Sequence, residues 1–211
     1  MSAFEAASPY QRYLSRPLSE VAADLESFAA LLLKWNRTQN LVSRETTDLV
    51  WTRHIADSLQ LLRLLRDTDR VILDLGSGGG LPAIPLAIAR KGLSDVILVE
   101  PTAKKASFLR TVSREIGLGL RVENRRAEDI APTELPPVDV VTSRALAPLV
   151  ALCRLAAPFF GPTTRAILHK GREHVDELAE SDAVWHHDVL VHPSDTDPEG
   201  VLLELSNLRL K

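Results

Sequence analysis

Four glycines fall within five positions of Asp74-Leu-Gly-Ser-Gly-Gly-Gly80, directly after the short apolar run Val71 to Leu75. A run of that length closed by glycines reads as a buried strand ending in a tight turn. Glycine removes the Cβ at each of those positions, so the backbone can approach a ligand closely. In open α/β sheets ligands sit beyond the carboxyl ends of the strands, near the point where strand order reverses. One strand and its turn therefore constrain both the fold class and the place to look for a site.

The rest of the chain agrees with such a sheet. Residues 1–17 read as a loosely attached arm broken by Pro9 and Pro17. With Ser19 as N-cap, Val21, Leu25, Phe28, Leu32 and Trp35 recur at spacings of four and three and define one helix face. Residues 36–45 are polar and read as a connection. A second helix, capped at Thr46 or Thr47, buries Trp51, Ile55, Leu59 and Leu62. Beyond it, strands at 71–75, 95–100, 120–124, 138–142 and 165–169 alternate with helices at 86–90, 103–116, 147–160 and 172–179. Two strands, 184–191 and 201–210, follow with no helix between them. Alternation gives a parallel sheet covered on both faces, and the final hairpin gives an antiparallel finish. The expected fold is α/β, with a mainly parallel seven-stranded sheet, helices on both faces and an N-terminal helical extension. Residues 1–66 form the arm and extension and 67–211 the core, in one compact domain overall.

Composition narrows the function classes. The net charge of −3 gives no global support for nucleic-acid binding, so any such role rests on a local patch. No apolar run reaches the ~18–20 residues that cross a bilayer, so no membrane partner is expected. Met1 to Tyr10 holds Glu5 and no basic-then-apolar pattern, so it does not read as a secretory signal. The single cysteine, Cys153, permits no internal disulfide or cysteine metal cluster, and a cytoplasmic setting is the simplest reading. Cys153 lies in an apolar helix and reads as core rather than nucleophile. No His, Asp and Glu set has metal-ligand spacing, so no metal is expected. His186 and His187, adjacent on a strand, point to opposite faces. No long apolar surface stripe is left unassigned, which favours a monomer.

Asp74, at the strand end, can fix the glycine loop through hydrogen bonds to backbone N–H groups. Two cofactor readings compete for that loop. Asp74-x-Gly76-x-Gly78-x-Gly80 matches the first motif of class I methyltransferases, where the loop wraps the methionine part of S-adenosylmethionine. Gly78-x-Gly80-x-x-Ala83 also fits the looser dinucleotide fingerprint. Against the dinucleotide, Pro82 and Pro85 remove N–H donors from the turn where a pyrophosphate would sit. Glu100 ends the second strand 26 residues after Asp74 and suits a ribose diol, which both cofactors carry. Arg126-Ala127-Glu128-Asp129 follows the third strand, where backbone groups at Ala127 and Glu128 can read an adenine edge.

The stretch Val138 to Ala145, the fourth strand and the residues at its end, lacks the Asp/Asn/Ser-Pro-Pro-aromatic motif of enzymes that methylate exocyclic amines. With Cys153 in the core, an acceptor that needs little proton removal fits best. Arg144 stands at the end of that strand, where a cation needs a partner: a carboxylate, a cofactor carboxylate or a phosphate. Lys170 ends the fifth strand on the same edge and could face an RNA phosphate. No catalytic residue is assigned, since catalysis reads as positioning; Arg144 and Lys170 are the candidates.

Several separated segments together resemble the RsmG (GidB) family. Lys34-Trp35-Asn36, Asn40-Leu41 and Arg53-His54-Ile55-x-Asp57-Ser58-Leu59 are similar to its N-terminal signature. Asp74 to Leu86, with its Leu81-Pro82-x-Ile84-Pro85 tail, is similar to its cofactor loop. Lys104-Lys105, Phe108-Leu109, Ala127-Glu128, Ser143-Arg144-Ala145 and Lys170-Gly171 follow in the family's order. The resemblance spans about residues 30–205. It implies methyl transfer from S-adenosylmethionine to ring nitrogen 7 of one guanine of 16S ribosomal RNA, free or in the small subunit. It also implies cofactor contacts at Gly76, Leu81, Ala127, Glu128 and Arg144; the fold logic adds Asp74, Gly78 and Glu100. Ala83 stands where the family often has glycine, and His169 where an apolar residue is common. Lys104, Lys105, Arg110, Arg114, Arg121, Arg125 and Arg126, with Arg12 and Arg16 on the arm, are the candidate phosphate contacts. Arg53 and Asp57 at i, i+4, and His54 with Asp57 at i, i+3, read as helix-stabilising or helix-to-sheet contacts. A nicotinamide-dependent oxidoreductase and a non-catalytic nucleotide-binding module are the competing functions.

Overall fold

A computed structural model describes residues 1–211, the side chain of Arg44 apart. Seven strands form one sheet: β1 (Val71–Leu75), β2 (Asp95–Val99), β3 (Arg121–Glu123), β4 (Val140–Ser143), β5 (Arg165–Lys170), β6 (Trp185–Pro193) and β7 (Val201–Leu210). Their order is β3-β2-β1-β4-β5-β7-β6. The first five are parallel, β7 runs antiparallel to β5, and β6 pairs antiparallel with β7 at the edge. Strand order reverses between β1 and β4, which places the switch point at the end of β1.

Alternation along the central strands sends neighbours into two separate cores. Ile72, Leu98, Val140, Ile167 and Leu202 join one. Leu73, Leu75, Ile97, Val99, Val141, Leu168 and Leu203 join the other. The first face is covered by α1 (Ala3–Ala7), α2 (Leu18–Gln39), α4 (Ala83–Ala89) and α5 (Ala103–Ile116), together with the turns that include α3 (Asp57–Leu59). The second is covered by α6 (Leu149–Ala156), with Leu178 of α7 (His174–Val184) against it. Trp35 of α2 packs its ring 5.7 Å from that of Phe108 on α5, so the extension is built into the same core as the sheet.

Four local expectations need correction. The arm is docked rather than loose: Ala3, Ala6, Ala7 and Tyr10 are buried, and Tyr10 donates its hydroxyl to Asp195. Alanines carry little hydrophobic signal, yet their size lets α1 pack closely. Helix α2 starts at Leu18 with Pro17 at the cap position, so Ser19 lies inside the first turn; Pro supplies the fixed φ that opens a helix. The second helix is not regular. A 3-10 stretch Arg44–Leu49 passes into a π-helical turn Val50–Ala56, then α3 and another 3-10 turn Gln60–Arg63. Its first cap is Ser43, not Thr46 or Thr47, while Ile55, Leu59 and Leu62 are buried and Trp51 half-buried. Finally, Val189, Leu190 and Val191 on edge strand β6 stay exposed, although the pattern had assigned them no surface role. None of the helices is long and apolar enough to cross a membrane.

Candidate active site

The carboxyl ends of β1, β2, β4 and β5 meet on one edge of the sheet. At β1 the chain turns through Gly76, Gly78 and Gly80, all at positive φ (71°, 51° and 81°). The N–H groups of Gly76 and Ser77 both donate to the Val99 carbonyl at 3.0 Å, tying the loop to β2. The Leu81–Pro82 peptide is cis and Leu81 is buried in the first core.

Glu100 braces the loop. One of its oxygens accepts from Gly78 N–H at 2.9 Å and the other from Thr102 N–H at 2.7 Å. The expected ribose acceptor is therefore also a loop clamp, each oxygen keeping a second lone pair for a ligand. Asp74 does not fill the clamping role proposed for it. In the β1–β4 register it lies opposite Thr142, whose hydroxyl donates to its Oδ1 at 2.7 Å. Its Oδ2 is buried without a partner, and burial raises its pKa to about 6. Ser143 donates to the Leu75 carbonyl at 2.8 Å. Sequence reasoning missed this hydroxyl pair; its signal was two polar residues ending an apolar strand.

The adenine side is less enclosed. Ala127–Asp129 forms one 3-10 turn at the end of β3, with Ala127 half-buried and Glu128 exposed. Asn124 donates to the carbonyls of Glu100 and Pro101, holding this turn beside the end of β2. A cavity of about 520 Å³ borders Ala127, Glu128, Arg154 and Leu155.

A larger pocket, about 1220 Å³, opens at the ends of β4 and β5. Leu41, Leu49 and Leu146 line it with His54, Asp57, Arg144, His169 and Lys170. Arg144 takes the carboxylate among its three possible partners: Nη1 lies 3.0 Å from Asp57 Oδ2 and 2.9 Å from the Arg53 carbonyl, and Nη2 lies 3.0 Å from His54 Nδ1. The helix-to-sheet reading of His54 and Asp57 is thus the observed geometry. Arg53 does not pair with Asp57; it reaches Asp197 at 2.6 Å, because the π-helical turn shifts the i, i+4 relation. Burial, with Arg144 next, lowers the His54 pKa to about 4, and burial also lowers that of His169. Lys170 is neither solvated nor free for a phosphate: Nζ donates to Glu177 at 2.6 Å and to the Ala147 carbonyl at 2.9 Å.

Between cradle and pocket runs the segment Arg144 to Pro148. Ala145 holds a left-handed φ of 53°, a conformation that a side chain adopts at a cost and that clusters at functional sites. Leu146 lies over the glycine loop, 2.5 Å from where a Cβ on Gly76 would stand. Any side chain at Gly76 would meet it. Cys153 is buried in the core beside Ser181. His187 packs inward against Ser181 while His186 is exposed.

Among the proposed phosphate contacts, Arg16 is occupied by Asp24 and the Ile88 carbonyl. Arg121 and Arg125 pair with Glu123, Arg125 also with Glu134, and Arg114 with Glu115. Arg12 lies over the Tyr13 ring. Lys104, Arg110 and Arg126 are exposed and Lys105 is half-exposed.

A parallel sheet in this order, a glycine turn after β1 and an acidic residue ending β2 define a class I methyltransferase fold. A solved S-adenosylmethionine-dependent methyltransferase from Aquifex aeolicus shares it, with TM-score 0.56 at 14% identity over 81% of this chain and 96% of that one. The family is fixed by sequence. The family model for rRNA small subunit methyltransferase G (GidB) matches residues 21–195. A ribosomal RNA small subunit methyltransferase G of Rhodospirillum centenum is 47% identical over 87% of this chain and 83% of its own length. One of Cereibacter sphaeroides is 42% identical over 90% and 92%. This chain belongs to that family.

Proposed function

We propose that this chain transfers the methyl group of S-adenosylmethionine to ring nitrogen 7 of one guanine in 16S ribosomal RNA. The observation that carries the reading is the pairing on one sheet edge of a Cβ-free cradle with a roomy pocket that holds no cysteine nucleophile. His54 has Nδ1 on Arg144 and Nε2 2.9 Å from Thr46 Oγ1. Cys153 is sealed in the core. Guanine nitrogen 7 carries a free lone pair at neutral pH and needs no proton removed, so such a pocket suffices. The cradle fits the cofactor: nothing stands closer than 3.7 Å to a Cβ built on Gly78, and a buried Asp74 oxygen lacks a partner beneath it.

When bound, S-adenosylmethionine supplies an electrophilic methyl on a sulfonium. The chain's part is positioning. Gly76, Gly78 and Leu81 form the floor, Glu100 ties the loop through Gly78, Asp74 presents its unpaired oxygen at the end of β1, and Ala127 and Glu128 border the adenine. Arg144 and Lys170, with their carboxylate partners, wall the acceptor pocket. Holding two reactants in line is worth several orders of magnitude in rate. We assign RNA approach to Lys104, Lys105, Arg110 and Arg126, and place the protein in the cytoplasm as a monomer acting on 16S rRNA or the small subunit.

Mass spectrometry of 16S rRNA from cells with and without the gene tests the reading. The expected result is one N7-methylguanine lost with the gene and restored by a plasmid copy. Identical modification in both strains refutes it.

A further inference from the structure

Arg144 enters the acceptor pocket already neutralised and fully oriented. Its side chain is 18% exposed, and both terminal nitrogens are taken by the π-helical turn. To accept from Nη2, His54 Nδ1 must carry no proton, which leaves the ring's proton on Nε2 for Thr46. Asp57 is fixed in turn. Its Oδ1 accepts from Gln60 at 2.8 Å and from the Thr196 hydroxyl at 2.7 Å. Its Oδ2 lies 3.5 Å from His169 Nε2, and that nitrogen is 3.0 Å from the Asp57 carbonyl. One carboxylate thereby joins the N-terminal turn, the ends of β4 and β5, and the β6–β7 loop. None of these bonds is made to the glycine loop itself, which meets this segment only through Leu146 over Gly76.

The chemistry of the proposed reaction gives that arrangement a purpose. The guanine N7 lone pair forms the new N–CH₃ bond, and the sulfur–methyl bond breaks with its electron pair left on sulfur. One positive charge passes from sulfur to the base, with no proton moved. An uncompensated guanidinium in the pocket would oppose a base that is becoming a cation, since preorganised charge acts most strongly where charge develops. Carboxylates serve the opposite end, and the pocket lining carries Glu173, Asp176 and Glu180 beside Asp57 and Asp197, which pair with Arg144 and Arg53.

We propose that Asp57 and His54 are positioning residues: they hold Arg144 in one orientation beside the acceptor, and Asp57 cancels its charge against the methylated, cationic base. The proposal rests on the guanine-N7 reading. It is tested with 16S rRNA and small subunits from cells lacking the gene. Asp57→Asn is expected to lower kcat at least about tenfold, while KM for S-adenosylmethionine and the calorimetric Kd for S-adenosylhomocysteine move less than about threefold. Asp57→Glu restores part of kcat. His54→Gln, whose amide oxygen can still accept from Arg144, keeps more of it than His54→Leu. Asp57→Asn combined with Arg144→Gln is no slower than the slower single variant, as for residues acting as a unit.

An unchanged kcat in Asp57→Asn overturns the proposal. So does a loss matched by the fraction of unfolded protein in melting curves, or single effects that multiply in the double variant. Wild-type protein that leaves every guanine N7 unmethylated is a different failure: it removes the functional reading and the proposal with it.

Discussion

Gly78 and Gly80 share a backbone class and differ in surroundings, so substituting each with alanine separates two costs. Both hold positive φ, at 51° and 81°. Left-handed backbone costs an alanine about 1–2 kcal/mol. At Gly78 that is the whole cost, because the nearest atom to a new Cβ is the Gly76 carbonyl oxygen at 3.7 Å. At Gly80 the new Cβ would fall against Ile84, with Cγ1 at 2.8 Å and Cδ1 closer still, and Leu109 Cδ2 at 3.2 Å. Forcing a methyl into a packed core adds about 1–3 kcal/mol. Each kcal/mol moves the melting temperature of a 150–250-residue chain by about 2–4 °C. Gly80→Ala should therefore melt several degrees below Gly78→Ala in calorimetric scans of the ligand-free protein. Ile84→Val removes the clashing Cδ1 and costs about 0.5–1.5 kcal/mol alone; combined with Gly80→Ala it should cost less than the sum. Equal melting of the two alanine variants, or strict additivity with Ile84→Val, would show that space at this turn does not decide which glycine is needed.

Two further outcomes follow from the site. Glu100→Gln leaves one acceptor where the N–H groups of Gly78 and Thr102 now bond, and a charge-assisted bond is worth about 1.5–3 kcal/mol; S-adenosylhomocysteine should bind about tenfold more weakly by calorimetry, and unchanged affinity would deny the clamp a role. His54 and Asp74 oppose each other in acid. His54, held near 4 against 6.5, contributes stability present above pH 6.5 and lost as pH falls toward 4; Asp74, raised to about 6 from 3.8, contributes stability present below 3.8 and lost as pH rises through 6. Their slopes offset between pH 4 and 6, so Asp74→Asn should lose about 2 kcal/mol more than wild type between pH 7 and 4.5 in urea titrations, and parallel curves would contradict the opposition.

The elements that could be read from the sequence are those whose local pattern and tertiary role coincide. Strand β1 spans 71–75 as expected, α5 spans 103–116, and β7 spans 201–210. In each, the apolar pattern, a continuous run in β1 and a helical face in α5, has glycine or charge at its end, as Gly117 stands in the left-handed cap of α5. The second helix failed for the opposite reason. Periodicity located its buried face correctly, at Ile55, Leu59 and Leu62, but says nothing of hydrogen-bond register. There the Arg53 carbonyl accepts from Arg144, a residue 91 positions away. A backbone oxygen drawn to a partner so distant in sequence leaves no mark in the local pattern.

The same limit governed the site. The glycine cradle was legible because its constraint is local: a backbone that passes through positive φ favours glycine at Gly76, Gly78 and Gly80. Arg144 and Lys170 were legible only as cations needing partners. Their partners, Asp57 and Glu177, are two carboxylates among 28 acidic residues, each on another element. Charge alone could not choose between them and a ligand, and topology could. Once β4 and β5 stand side by side, Arg144 and His169 both reach Asp57 at the start of α3, while Lys170 reaches α7. Both cations expected to meet cofactor or RNA have carboxylate partners within the protein. The acceptor pocket is left with carboxylates at its rim, which suits a base that gains a positive charge rather than a phosphate that carries a negative one.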